Sequence, residues 1–143
     1  MIRISQIENP NDFSSTHYII TQTPDGMLHW TLTGVVTLTL KGTSAYWLRE
    51  EVQIVLMLPG IGQKYVQLQQ WAPFVTLSSI KNEQHAVNAG WAVDSFKLIV
   101  PEVSAPSVTI SCDVAVRDID GYIVRLGYVF HGAGSLVDPP YIG

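Results

Sequence analysis

The sequence predicts an all-β fold, a sandwich of antiparallel sheets, and three observations carry that prediction. Apolar and polar residues alternate with period two from Thr16 to His131. Clusters of Gly, Pro, Asn and Asp interrupt the alternation as turn signals. No long window shows helical periodicity. Together they give about seven to eight strands in an immunoglobulin-like or jelly-roll-like arrangement.

Taken in order, residues 1–15 read as an N-terminal arm, polar from Ser5 onward. Thr16 to Thr23 forms a strand that ends at the turn residues Pro24-Asp25-Gly26. Met27 to Lys41 is the clearest strand. Leu28, Trp30, Leu32, Val36, Leu38 and Leu40 share one face with Gly34, and His29, Thr31, Thr33, Thr37, Thr39 and Lys41 share the other. Gly34 is the expected bending point of so long a strand. Tyr46 to Leu58 carries Tyr46, Leu48, Val52, Ile54, Leu56 and Leu58 on one parity. Pairing Leu40 with Tyr46 makes the two runs a hairpin whose apolar faces coincide.

Further along, Tyr65–Trp71 and Phe74–Ile80 are strands separated by Ala72-Pro73, and Trp91–Val100 is another. Lys81 to Gly90 holds a short helical turn. Val108–Val116 and Tyr122–Phe130 alternate cleanly about Asp118-Ile119-Asp120-Gly121. A three-residue loop there, with Gly121 left-handed, matches the faces of a second hairpin. The tail, 132–143, with Pro139-Pro140, reads as irregular or extended. The whole chain, 1–143, fits one domain.

Composition narrows the function classes. Charged residues make up 14% of the chain, against about 25% in an average soluble domain, so Thr, Ser and Gln supply much of the surface. Eight basic residues against twelve acidic, with no basic cluster, argue against a nucleic-acid partner. No stretch has the length and apolarity of a membrane helix, and the start lacks the apolar core of a secretory signal, so no membrane partner is expected. One cysteine, Cys112, excludes an internal disulfide framework. On the apolar parity of its strand, it reads as a buried, inert thiol.

No motif points to catalysis or to a cofactor. The Asp118–Gly121 run has two carboxylates of a calcium loop, but Val129 stands where the ligating Glu is required. His17, His29, His85 and His131 show no metal-ligand spacing, and no serine lies in a nucleophile elbow. Glu50 falls on the apolar parity opposite Val36 in the hairpin register. A bulge at Glu50-Glu51 would turn it to solvent, and an inward carboxylate would serve a ligand or Arg49. On the hairpin's other face, Val35, Trp47, Val55 and Met57 make a candidate interface patch, or are covered by the N-terminal arm through Phe13 or Tyr18.

Trp71-Ala72-Pro73-Phe74-Val75-Thr76-Leu77-Ser78-Ser79-Ile80 resembles a strand of the H-type lectins, small β-sandwiches that bind sugars. The likeness spans ten residues and brings no residue role with it. It implies carbohydrate binding, for which Trp71 and Trp91 are the candidate stacking residues. The expectation is therefore a non-enzymatic assembly or protein-binding module, such as a homo-oligomeric subunit of a viral, phage or surface structure. A carbohydrate-binding sandwich is the first alternative. A small hydrolase or metal enzyme is the second.

Overall fold

A computed structural model of the chain describes residues 1–13, 15–40, 47–81, 90–99, 106–117 and 122–138. The described residues are mostly strand. They comprise β1 (Ile2–Ser5), β2 (His17–Gln22), β3 (Leu28–Leu40), β4 (Trp47–Met57), β5 (Tyr65–Lys81), β6 (Gly90–Ile99), β7 (Ser107–Arg117) and β8 (Tyr122–Val137), with one 3-10 turn at Pro10–Phe13. They form two four-stranded sheets, ordered β1-β4-β7-β6 and β2-β3-β8-β5. The first sheet is mixed, because β1 runs parallel to β4; every other pairing is antiparallel.

Neither expected hairpin forms. β3 pairs with β2 and β8, while β4 pairs with β1 and β7 in the other sheet. β7 and β8 are likewise in different sheets. The turn read at Asp118–Gly121 and the helical turn read at Lys81–Gly90 lie outside the described residues. The parity argument failed for a physical reason. Coincident apolar faces are required of strands side by side in one sheet, and equally of strands facing each other across a core.

The actual arrangement sets one long antiparallel pair at the centre of each sheet. β3 and β8 pair without a break from Leu28↔Gly134 to Leu40↔Tyr122. β4 and β7 pair likewise from Trp47↔Arg117 to Met57↔Ser107. The inward faces of both pairs meet in one buried cluster. Trp30, Leu32, Val36, Leu38 and Leu40 of β3 and Val124, Leu126, Tyr128 and Phe130 of β8 contribute from one sheet. Val52, Ile54 and Leu56 of β4 and Val108, Ile110, Cys112, Val114 and Val116 of β7 contribute from the other. Each such aliphatic side chain, fully buried, is worth roughly 1.5–3 kcal/mol of transfer free energy. Trp30 also satisfies its one donor, giving Nε1–H to the carbonyl of Pro59 at 2.9 Å.

Gly34 does not bend β3, whose pairing with β8 is continuous through Gly34↔Tyr128. Instead it makes room. A Cβ at Gly34 would lie 2.4 Å from the Tyr128 hydroxyl oxygen and 2.7 Å from Cζ. The Tyr128 ring therefore lies over the glycine, and its hydroxyl shares a 2.8 Å hydrogen bond with Thr16 Oγ1. Phe13, buried at the end of the 3-10 turn, stands 6.4 Å from that ring between centroids.

Both termini are more ordered than their composition suggests. The N-terminal arm supplies β1 and buries Phe13, and Gln6 N–H continues it with a 3.0 Å bond to the Val55 carbonyl. The tail is strand as far as Val137. Its glycines accommodate neighbours: a Cβ at Gly132 would meet the Phe130 ring at 2.4 Å, and one at Gly134 would meet the Gln67 carbonyl oxygen at 2.3 Å. Pro73 lies inside β5, a single strand on the sheet edge, with register shifts at Leu68/Gln70 and Leu77/Ser79. An edge tolerates the missing donor.

Candidate functional site

The outer faces of the two sheets differ in character. On the first sheet, adjacent strands bring Glu51, Asp113 and Asp94 into one row. Arg49, on the same face, donates to Asp94 at 3.0 Å and to Asp113 at 3.4 Å. The hydrogen bond from Arg49 holds the Asp94 carboxyl below the usual carboxylate range, and its counterpart from Asp94 pushes the guanidinium up. Glu51 accepts from Ser111 Oγ and Gln53 Nε2, both at 3.3 Å. Lys97 and Arg3 complete a charged, solvated face.

The second sheet presents a neutral outer face. Its central rows run Ile19–Thr31–His131–Ala72 and His17–Thr33–Val129–Phe74, with Val35–Gly127–Thr76 beyond. By register its charged positions among the described residues are Arg125 and, at the far end, Lys81 beside Ile123. Ile19 is 65% exposed and Phe74 52%. Thr31 Oγ1 and His131 Nδ1 share a hydrogen bond of 3.1 Å. An open cleft of about 360 Å³ lies along His29, Thr31, Gln70, Trp71 and His131. His17, His29 and His131 all belong to this face, on three different strands. Among the described residues no three His, Cys, Asp or Glu side chains come together as a metal site.

The residues singled out in the sequence scatter accordingly. Val35 belongs to the outer face of the second sheet, whereas Val55 and Met57 point outward from the first. The shared patch was a product of the hairpin register and does not exist. Val55 is only 4% exposed because β1 lies beside it, with Ser5 directly opposite. The N-terminal arm thus covers Val55, through β1 and not through Phe13 or Tyr18. Met57 is exposed and borders a second cleft, about 450 Å³, with Gln6, Ile7, Tyr18, Ile61 and Pro106. The side chains of Trp47 and Trp91 lie outside what the structure describes.

Glu50 keeps the core parity, since β4 and β7 pair without a shift through Glu50↔Val114. No bulge turns it outward. Half-buried, it accepts the Met1 ammonium at 2.7 Å, and that hydrogen bond raises the amino group's pKa. Arg49 faces the other way, toward Asp94 and Asp113. Trp71 is 44% exposed and borders the cleft along Thr31 and His131, although its pairing with Gly132 puts it on the parity of Trp30, opposite to Ala72 and His131. Cys112 is buried, and desolvation pushes its thiol up to about 12.

Sequence reasoning missed the contrast between the faces. The signal was present in the β3 threonines, whose row carries no charge, but it had been attached to the wrong neighbouring strand. The chain matches no protein-family model, and neither curated proteins nor solved structures give a match to it.

Proposed function

We propose that this chain is a non-enzymatic assembly module, a jelly-roll-like sandwich that associates with copies of itself through the outer face of its second sheet. The strand order supports the jelly-roll description: a long antiparallel pair stands at the centre of each sheet, β3 with β8 in one and β4 with β7 in the other. The observation that carries the functional reading is the electrostatic contrast between the two outer faces. One carries Arg49 paired with Asp94 and Asp113, with Glu51, Lys97 and Arg3 beside them. The other offers Ile19, Phe74, Val35 and Val129 among threonines, with charge only toward the Arg125 and Lys81 end, the composition that associating surfaces favour at their centres.

Sedimentation equilibrium tests it. The wild type should associate with rising concentration, and a Thr33→Glu, Thr37→Glu variant should remain folded and dissociate. Lys97→Glu, on the charged face, should behave as wild type. A neutral-face variant that associates as well as wild type refutes the choice of face.

A second reading rests on one observation, the exposed Trp71 beside Gln70, His29 and His131 in an open cleft. An aromatic face flanked by amide and imidazole groups suits a sugar ring. A glycan-binding screen in which Trp71→Ala abolishes a wild-type signal would favour that reading over assembly.

A further inference from the structure

We infer that β2 is a self-pairing edge: two copies join antiparallel along their β2 strands, fusing their second sheets into one continuous sheet across a twofold axis. This rests on the assembly reading above and names its geometry.

Sheet edges expose unpaired N–H and C=O groups, and proteins normally protect them with charge, proline, bulges or brevity. Three of the four edges here are protected. β1 is four residues long and carries Arg3. β6 carries Asp94 and Lys97 and is broken by a bulge with Ser95 at φ 58°. β5 contains Pro73 and two register shifts. β2 has none of these. It reads His17-Tyr18-Ile19-Ile20-Thr21-Gln22, and no charged residue occurs between Asp12 and Asp25.

The backbone of β2 is set for pairing. Thr23 donates to the Met27 carbonyl at 3.0 Å, extending the β2–β3 register by one residue. Alternation along an antiparallel ladder then directs the groups of Thr21, Ile19 and His17 toward β3. Those of Tyr18, Ile20 and Gln22 point away, to the edge that no described strand pairs.

The side chains fit a second copy of the same strand. A twofold axis that pairs antiparallel edges stands perpendicular to the sheet, so outward residues must meet outward residues. Centred on Ile19, the pairing sets Ile19 against the partner's Ile19 on the neutral face. Tyr18 then meets the partner's Ile20 on the other side. Tyr18 and Ile19 are 59% and 65% exposed, among the most exposed large apolar residues described. The twofold also lays the two neutral faces side by side as one surface. With six residues of strand per copy, the contact belongs with small, concentration-dependent dimers.

Cysteine scanning of the full chain tests the register. In this pairing Ile19 is a non-hydrogen-bonded pair with its counterpart, about 4.5 Å apart at Cα, within disulfide range. Ile19→Cys should oxidise to a covalent dimer at least tenfold faster than Thr21→Cys, which faces the partner's His17. Buried Cys112 remains as the internal control. Tyr18→Pro, which removes one outward N–H and no bond to β3, should leave circular dichroism unchanged and abolish the dimer. A wild type that associates while Ile19→Cys fails to cross-link and Tyr18→Pro still dimerises overturns the edge and leaves assembly through the face standing. Equal cross-linking at positions 19 and 21 overturns the register. A wild type monomeric at millimolar concentration overturns the edge and the assembly reading together.

Discussion

Replacing Gly34 by alanine separates two accounts of that residue by sign. If Gly34 served only backbone freedom, Gly34→Ala would stabilise the strand by about 0.5–1 kcal/mol, because glycine is a poor strand residue and its φ is not in the left-handed region. The structure predicts the opposite. The new methyl would stand 2.4 Å from the Tyr128 hydroxyl, 2.7 Å from Cζ and 3.0 Å from Cε1. Ordinary carbon contacts are about 3.5–4.0 Å, so the ring would have to retreat by about 1 Å. Tyr128 is 1% exposed, with Phe13 beside it, so it retreats into occupied space. Overpacking of this kind costs about 1–3 kcal/mol. Displacing the hydroxyl from Thr16 costs about 1 kcal/mol more. The net loss is about 1–3 kcal/mol once the gain in strand propensity is offset. A loss of 2 kcal/mol lowers the melting temperature by roughly 4–8 °C. Urea unfolding followed by tryptophan fluorescence measures it directly. Tyr128→Leu should relieve the clash, so that the double variant loses less than the sum of the single ones. A Gly34→Ala protein as stable as wild type, or more stable, refutes this account of the packing.

Other expectations follow from the same reasoning. Ser95 occupies a left-handed conformation at the β6 bulge. Ser95→Gly should be at least as stable as wild type, whereas Ser95→Val should lose about 1–2 kcal/mol in urea unfolding. Cys112 should label slowly with a thiol reagent at pH 8 and quickly after denaturation, since its thiol is both buried and held protonated, with a pKa of about 12. The Arg49–Asp94 pair depresses the folded-state carboxyl, so its contribution is present above the unfolded carboxylate pKa and lost as pH falls through the folded one. Arg49→Met should therefore flatten the acid limb of the stability profile while changing the midpoint little at pH 7, the pair being exposed.

The strands themselves were legible because period-two alternation reports which side chains are buried, and burial is what β3, β4, β7 and β8 share. Their neighbours were not legible from the same signal. Leu40 and Tyr46 satisfied a hairpin register on paper, yet Leu40 pairs with Tyr122. Tertiary pairing at long sequence separation leaves no trace in local pattern. The tail from Gly132 reads as irregular or extended in the sequence, and the glycines of its strand are explained only by the Phe130 ring at Gly132 and the Gln67 carbonyl at Gly134. Glu50 falls on the core parity, but the bulge that would turn it to solvent is absent, and its partner is the Met1 ammonium instead of Arg49. The candidate surface required knowing that the threonines of β3 adjoin β2 and β8. Once that is known, the scarcity of charge becomes a property of a whole face instead of a single strand.

The β3–β8 pairing has a consequence for how the chain is made. β8, the last described strand in chain order, sits between β3 and β5 in its sheet. Until it emerges, β3 can pair with β2 alone, and the row of Trp30, Leu32, Val36, Leu38 and Leu40 has no lasting cover. Synthesis must therefore reach β8 before the core can close, and closure then joins residues as distant as Leu28 and Gly134. A chain that stops before Tyr122 is not a smaller version of this protein. It is a set of apolar strands without their partner, the kind of species that chaperones hold or proteases remove.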